Sequence, residues 1–166
     1  MRRRSIDQRK ISSRRPDISE RVGISANCFA GSLKKFADEY LKSALTLTVE
    51  GDTTATLNIS LYDAAYMLRL MVEYAKEGSV IKSHITIKDH FRIETDFFCG
   101  LPSVEELSSI ALAARSAGFF IEIRGDRIIG RAAFDKKNTL PIYSGNFDKV
   151  VEIFEKIFFV NNTLQK

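Results

Sequence analysis

Residues 91–107 read FRIETDFFCGLPSVEEL, and the hydrophobic period changes within this stretch. Apolar and polar residues alternate over residues 91–97, which predicts a half-buried strand. Ser103 then begins a helix, and Glu106 stands three residues later, where it completes a capping box. The stretch therefore predicts a strand that passes almost directly into a helix, with only residues 98–102 between the two.

Hydrophobic periodicity and turn signals also predict the elements on both sides of this junction. It predicts helices over residues 32–41, 61–75, 104–117 and 146–160, and strands over 45–49, 55–59, 81–87, 91–97, 119–123 and 128–134. Short turns between consecutive strands favour antiparallel pairing, and helices between them pack on a common face. We therefore predict an α/β (α+β) fold, a two-layer sandwich with a mixed, mostly antiparallel sheet and helices on one face.

The charge of the chain is concentrated at its N-terminus. The formal net charge is +4, and residues 1–21 contain eight basic and three acidic residues, a net charge of +5. The remaining residues therefore carry a net charge of −1. Few apolar residues and many charges are typical of a flexible segment. We predict a basic flexible tail over residues 1–24 and a single sandwich domain, ending in a helix, over residues 25–166.

Several classes of protein are disfavoured by composition. No apolar run approaches the roughly 20 residues of a membrane helix, and no apolar stretch follows the basic N-terminus as in a secretory signal. Cys28 and Cys99 have no metal or redox spacing, which indicates reduced thiols and predicts a cytoplasmic location. His84 and His90 lack further ligands at metal spacing, so we expect no metal site. Because no long apolar run is present, we also expect no membrane partner.

The basic tail has two interpretations that the sequence leaves open. It is either a flexible arm that contacts nucleic-acid phosphates or an acidic protein, or a solubilising segment without a partner. The candidate contact residues are Arg2, Arg3, Arg4, Arg9, Lys10, Arg14 and Arg15.

Three segments in the body resemble the ATP-binding domain of the GHKL family, the Bergerat fold of histidine kinases, gyrase-type ATPases and anti-sigma kinases. Residues 63–77 resemble the helix that carries the family's magnesium-binding Asn. Residues 96–102, DFFCGLP, resemble its glycine box, in which Asp96, Gly100 and Pro102 match the Asp, a Gly and the Pro of the family. Residues 107–134 resemble its later helix, glycine and closing hairpin. The resemblance implies a nucleotide site with ATP and magnesium as ligands.

The residues that would hold the nucleotide depart from the family pattern. Tyr74 falls where the Asn should stand, although the neighbouring Glu73 offers a carboxylate. No glycine lies between Gly100 and Gly118, so the glycine-rich lid that would surround phosphates with backbone N–H groups is missing. The candidate nucleotide-binding residues are thus Asp96, Gly100, Glu73 and Tyr74, in a degenerate site for which we expect no bound cofactor.

Three functions follow from these observations. The first is a non-catalytic or weakly nucleotide-binding regulatory module that binds another protein. The second is an active, divergent ATPase or protein kinase, and the third is a nucleic-acid-associated protein that uses the basic arm. The C-terminal helix is rich in Phe and Ile, and its broad apolar side also predicts a homodimer contact.

Overall fold

The computed structural model of the chain describes residues 21–135 and 147–160, which contain four helices and eight strands. The strands are β1 (Val22–Ser25), β2 (Leu45–Gly51), β3 (Thr56–Ile59), β4 (Ile81–Ile87), β5 (Phe91–Asp96), β6 (Phe120–Arg124), β7 (Arg127–Ala132) and β8 (Phe134–Asp135). The helices are α1 (Ala26–Tyr40), α2 (Leu61–Tyr74), α3 (Val104–Ala117) and α4 (Phe147–Glu155), and α4 continues as a π-helical turn over Lys156–Val160.

The strands form two sheets. Five strands make one sheet in the order β2-β4-β5-β7-β6, and three make a second in the order β1-β3-β8. β2 and β4 are parallel, whereas the other pairings in the described residues are antiparallel. The predicted α+β sandwich with a mixed, mostly antiparallel sheet is confirmed, with the difference that its strands divide between two sheets.

One face of the five-stranded sheet packs against the hydrophobic core. In β4 and β5, two of its inner strands, every second residue is buried: Ile81, Ser83, Ile85 and Ile87 in β4, and Phe91, Ile93 and Thr95 in β5. All four helices contribute apolar side chains to the same core, so they cover this face. The intervening residues of β4 and β5 are half-buried or exposed on the opposite side, which we call the open face.

β2 and β3 do not form the antiparallel pair that the short connection between the predicted strands 45–49 and 55–59 favours. β2 lies parallel to β4, while β3 lies in the second sheet between β1 and β8. Gly51 has φ +94°, and a Cβ there would meet the carbonyl oxygen of Ile87 at the end of β4. The predicted antiparallel pairing was wrong because alternation identifies a strand and its buried face, but not the neighbour against which it pairs.

The folded part begins earlier than predicted. β1 includes Ile24, which is buried in the core, so the predicted tail boundary at residue 24 lies inside a strand. The hydroxyl of Ser25 accepts a hydrogen bond from the backbone N–H of Cys28, and α1 therefore starts at Ala26 rather than at residue 32. The N-cap oxygen satisfies one of the unpaired donors that every helix start presents.

The apolar stripe of the C-terminal helix packs within the chain. Val150, Val151, Phe154, Ile157 and Phe158 are buried. The rings of Phe154 and Phe158 lie 5.8 and 4.8 Å from that of Phe36 on α1, as ring centroids. Homodimerisation through this helix stays a prediction. Neither this helix nor any other in the described residues is long and apolar enough to cross a bilayer.

Candidate functional site

Asp96 lies at the end of β5 with its side chain on the open face. Its neighbours Thr95 and Phe97 are buried in the core, and side chains alternate across a strand. One carboxylate oxygen of Asp96 lies 3.4 Å from Nε of Arg127, and Nη1 of the same arginine lies 2.7 Å from a carboxylate oxygen of Glu94. The candidate acid is therefore part of an ion-pair network across β5 and β7.

A shallow pocket of about 240 Å³ opens beside Asp96 on this face. It is lined by Thr46, Thr48, Lys82, Ser83, His84, Glu94, Asp96, Phe98 and Arg127. The Phe98 side chain is 53% exposed, and Nζ of Lys82 lies 5.3 Å from its ring centroid, within reach of a cation–π contact. Phe97 fills core space, whereas Phe98 forms an exposed wall of this pocket.

A hydrogen-bonded chain of three side chains borders the pocket. Nδ1 of His84 lies 2.6 Å from Oγ1 of Thr48, and Nε2 of His84 lies 3.1 Å from a carboxylate oxygen of Glu50. The parallel register of β2 and β4 places Thr48 opposite His84. His84 is exposed, and its two partners could not be predicted because the pairing of these strands does not follow from their local pattern.

Glu73 and Tyr74 lie on the helical side of the sheet, at the end of α2. A carboxylate oxygen of Glu73 lies 2.7 Å from Nε of Arg69, and Nη1 of Arg69 donates to the carbonyl of Ile157 at 3.0 Å. The Arg69 side chain is only 4% exposed. Glu73 therefore compensates the charge of the buried Arg69 guanidinium. The same guanidinium joins the C-terminal turn to α2 by its hydrogen bond to Ile157.

Gly100 belongs to the short connection between β5 and α3. Its φ is +107°, and a Cβ there would lie 2.8 Å from Nζ of Lys76. Only three residues separate it from Val104, where α3 begins. The predicted capping box is present: Glu106 N–H donates to the hydroxyl of Ser103, and Ser103 N–H donates to the Glu106 carboxylate.

The four predicted nucleotide-binding residues are not gathered in one cleft. Asp96 lines a pocket on the open face that contains neither Glu73 nor Tyr74, and those two lie on the side that the helices cover. No three His, Cys, Asp or Glu residues within 21–135 and 147–160 are arranged to hold a metal ion. This arrangement does not fit a magnesium nucleotide. Such a ligand needs oxygen ligands for the metal ion and hydrogen-bond donors for the phosphates in one place.

The predicted contact residues of the basic tail, Arg2 to Arg15, lie outside the described residues. Arg21 is the first described residue, and its Nη2 donates to the carbonyl of Arg115 near the end of α3 at 3.0 Å. The same carbonyl also accepts from the backbone N–H of Gly118 at the C-cap, so Arg21 is its second donor. The side chain of Arg21 therefore contacts the last turn of α3.

No protein-family model and no curated protein matches this sequence. The fold is similar to that of the catalytic domain of histidine kinase ThkA in a nucleotide-free form, at 15% identity and a TM-score of 0.45, covering 69% of this chain and 96% of that one. ThkA is a histidine kinase, one of the classes of protein in the family that the sequence resembles. No residue's role follows from it at this identity.

Two further histidine kinases are similar. The cytoplasmic segment of QseC is 11% identical with a TM-score of 0.45, over 72% of this chain and 82% of that one. AdeS of Acinetobacter baumannii is 12% identical with a TM-score of 0.44, over 70% and 68%.

Proposed function

We propose that this domain is a non-catalytic, protein-binding regulatory module built on a GHKL-type fold. The observation that carries the proposal is the separation of its two candidate acids. Asp96 lies on the open face and is paired with Arg127, whereas Glu73 lies on the helical side and is paired with Arg69. Both carboxylates therefore have partners within the chain, and Glu73 does not line the pocket beside Asp96.

The start of α3 gives a second reason. A helix N-terminus binds phosphate through unpaired backbone N–H groups and the positive end of the helix dipole. Here the capping box uses the N–H groups of Ser103 and Glu106, and Glu105 and Glu106 place negative charge in the first turn. Both features disfavour a polyphosphate at the position that follows Gly100.

Exposed apolar side chains support a protein partner. Phe120 is 81% exposed, Val104 77% and Leu112 66%. Phe120 lines one surface pocket together with Ile123, which is also exposed, and clustered exposed apolar side chains are typical of surfaces that contact another protein. Phe120 lies on β6, which is an edge strand of the five-stranded sheet, and edge strands are frequent sites of association.

Isothermal titration of the full chain with a non-hydrolysable ATP analogue and magnesium tests this proposal. We expect no binding that depends on Asp96. The informative pair of variants is Asp96→Ala and Asp126→Ala, because Asp126 is an exposed acid in the adjacent β6–β7 turn. Binding that is lost in Asp96→Ala and retained in Asp126→Ala contradicts the proposal, as does phosphate release from ATP by the wild-type chain.

The charge of the tail favours a second candidate function, nucleic-acid association through residues 1–21, whose net charge is +5. The seven predicted contact residues can be changed to Gln together while Arg21 is kept, because Arg21 bonds to α3. Phosphate contacts release counterions, so tail-driven binding weakens as salt rises and is lost in the Gln variant. Equal mobility shifts for the two proteins contradict a role for the tail.

A further inference from the structure

A second pocket lies on the open face, at the end of the sheet where β4 turns into β5. Its volume is about 320 Å³, and it is lined by Thr86, Lys88, Asp89, His90, Arg92 and Arg131. Three of these side chains are cationic at neutral pH and one is anionic. Thr86 adds a hydroxyl that can donate or accept a hydrogen bond. Positive charge and hydrogen-bond donors are thus concentrated in one concave place.

Two of the cations stand directly opposite each other. The register of β5 with β7 pairs Arg92 with Arg131, and the register of β4 with β5 pairs Thr86 with Arg92. All three therefore point to the same face across neighbouring strands. Like charges at directly opposed positions are unfavourable in a sheet unless an anion lies between or beside them.

The carboxylates around the pocket do not offset these charges in full. Glu94 lies 2.7 Å from both Arg92 and Arg127, and Arg127 has Asp96 as a second partner at 3.4 Å, so Glu94 is divided between two guanidinium groups. Glu122 is likewise shared by Arg124 and Arg131, at 2.5 and 2.6 Å. An arginine carries five N–H donors, and Arg92 and Arg131 each use a single nitrogen in their ion pairs.

Further donors of the pocket have no partner. Lys88 is exposed and forms no ion pair with any of residues 21–135 or 147–160. Within the described residues, two further nitrogens are buried without a hydrogen-bond partner: Nε of Arg92, which is a donor, and Nε2 of His90, which is a donor or an acceptor according to its tautomer. Buried donors without partners are rare in native proteins, and each one is an opportunity for a ligand acceptor.

We propose that this pocket, which we call the β4–β5 turn pocket, binds a phosphate group. A phosphate offers several strong acceptor oxygens and a charge that matches the opposed guanidinium groups, which recognise such anions with two parallel hydrogen bonds. Lys88 adds a third cation from the turn, and Thr86 a hydroxyl. The site is distinct from Asp96 and from the start of α3, and it stands whether or not the domain is catalytic.

Titration of the isotopically labelled full chain, followed by amide NMR, tests the proposal. The probes are inorganic phosphate and AMP, each added at constant ionic strength with chloride as the replaced anion. Tighter binding of inorganic phosphate identifies the free anion as the ligand, and tighter binding of AMP identifies a phosphate carried on a larger molecule. We expect perturbations at residues 86–92 and at Arg131 with both. Their absence with both probes overturns the proposal.

Three variants assign the binding to this pocket. Arg131→Gln and Lys88→Gln should each weaken phosphate binding about 10-fold or more, since a charge-assisted hydrogen bond is lost. Arg124→Gln is the matched control, because Arg124 also pairs with Glu122 but does not line the pocket. Lys88 lies on an exposed turn, so its variant remains folded even if an arginine variant does not. Equal weakening in Arg124→Gln, or none in Lys88→Gln and Arg131→Gln, overturns the assignment.

The same variants separate this inference from the proposed function. ATP binding that is lost in Arg131→Gln but kept in Asp96→Ala places the nucleotide's phosphates in the β4–β5 turn pocket, which supports the present inference. ATP binding that is lost in Asp96→Ala but kept in Arg131→Gln contradicts the non-catalytic proposal. The phosphate titration then decides whether the β4–β5 turn pocket binds phosphate.

Discussion

The Nε atom of Arg69 lies 2.7 Å from a carboxylate oxygen of Glu73, and the same guanidinium donates to the carbonyl of Ile157. The first contact joins residues one helical turn apart in α2. The second joins α2 to the C-terminal turn, between residues that are 88 positions apart in sequence. A buried guanidinium is tolerated only when its charge and donors are compensated. Glu73 therefore has a role in holding the C-terminal turn, which competes with any role as a ligand.

Changing Glu73 to Gln should lower the free energy of unfolding by about 1–2 kcal/mol. The amide keeps the size of the side chain but removes the charge that faces Arg69, and the estimate allows for the partial exposure of Glu73. Urea unfolding measures the difference, with Glu77→Gln on the exposed end of the same region as control. An unchanged stability, with an effect on nucleotide affinity instead, would show that Glu73 acts as a ligand.

The aromatic cluster around α4 gives a second prediction. Phe154 is fully buried, and its ring centroid lies 6.4 Å from that of Phe29 and 5.8 Å from that of Phe36. Phe154→Ala should cost about 3–5 kcal/mol of stability, because it leaves a cavity in a close-packed core. Phe159→Ala should cost less, since that side chain is 42% exposed.

Urea unfolding and sedimentation of both Phe variants distinguish a core role from a subunit contact. If the helix packs mainly within the chain, Phe154→Ala loses stability without a change in oligomeric state. A wild-type dimer that dissociates in Phe159→Ala would instead support the predicted contact between two copies of this helix.

Much of the fold could be predicted from local signals. The capping box of Ser103 and Glu106 fixes the start of α3, and the turn at Gly125-Asp126 joins β6 and β7 as an antiparallel hairpin. The alternation in β4 and β5 identifies their buried faces correctly. Each of these signals involves residues close together in sequence, so one chain is enough to reveal it.

The candidate site could not be predicted in the same way. The family resemblance predicts that Asp96 and Glu73 share one site, but side-chain alternation along β5 turns Asp96 away from the helices. The contact of Thr48 with His84 depends on the parallel pairing of β2 and β4. Which strands become neighbours is decided by packing of the whole chain, and a local pattern does not contain that information.

Gly51 tests the parallel pairing that the sequence did not reveal. An alanine there would have φ near +94° and a Cβ 2.2 Å from the carbonyl oxygen of Ile87, a contact that side chains do not tolerate. We expect Gly51→Ala to lower the free energy of unfolding by at least about 2 kcal/mol. Gly125→Ala is the control, since its φ is +55° with no atom within 4 Å of the added Cβ, and it should cost about 1 kcal/mol. Equal costs for the two would contradict the close approach of β2 to β4.

The acid dependence of stability should depend on Glu122. Hydrogen bonds from Arg131 and then Arg124 lower the pKa of this carboxyl below its ordinary value. A group whose pKa is lower in the folded state contributes stability above its unfolded pKa, and that contribution is lost as the pH falls through the folded pKa. The Glu122 contribution is therefore present at neutral pH and disappears below about pH 4.

Urea unfolding of wild type and Glu122→Gln between pH 7 and pH 3 measures this contribution. The variant should be less stable at pH 7, and the two proteins should converge in acid, because a protonated Glu122 and a glutamine are both neutral. Glu152→Gln serves as control, since Glu152 is exposed and forms no ion pair with the described residues. A gap between wild type and Glu122→Gln that stays constant with pH would mean that the two arginines do not stabilise the ionised carboxylate. Such a result would also remove the shared-carboxylate argument for the excess positive charge of the β4–β5 turn pocket.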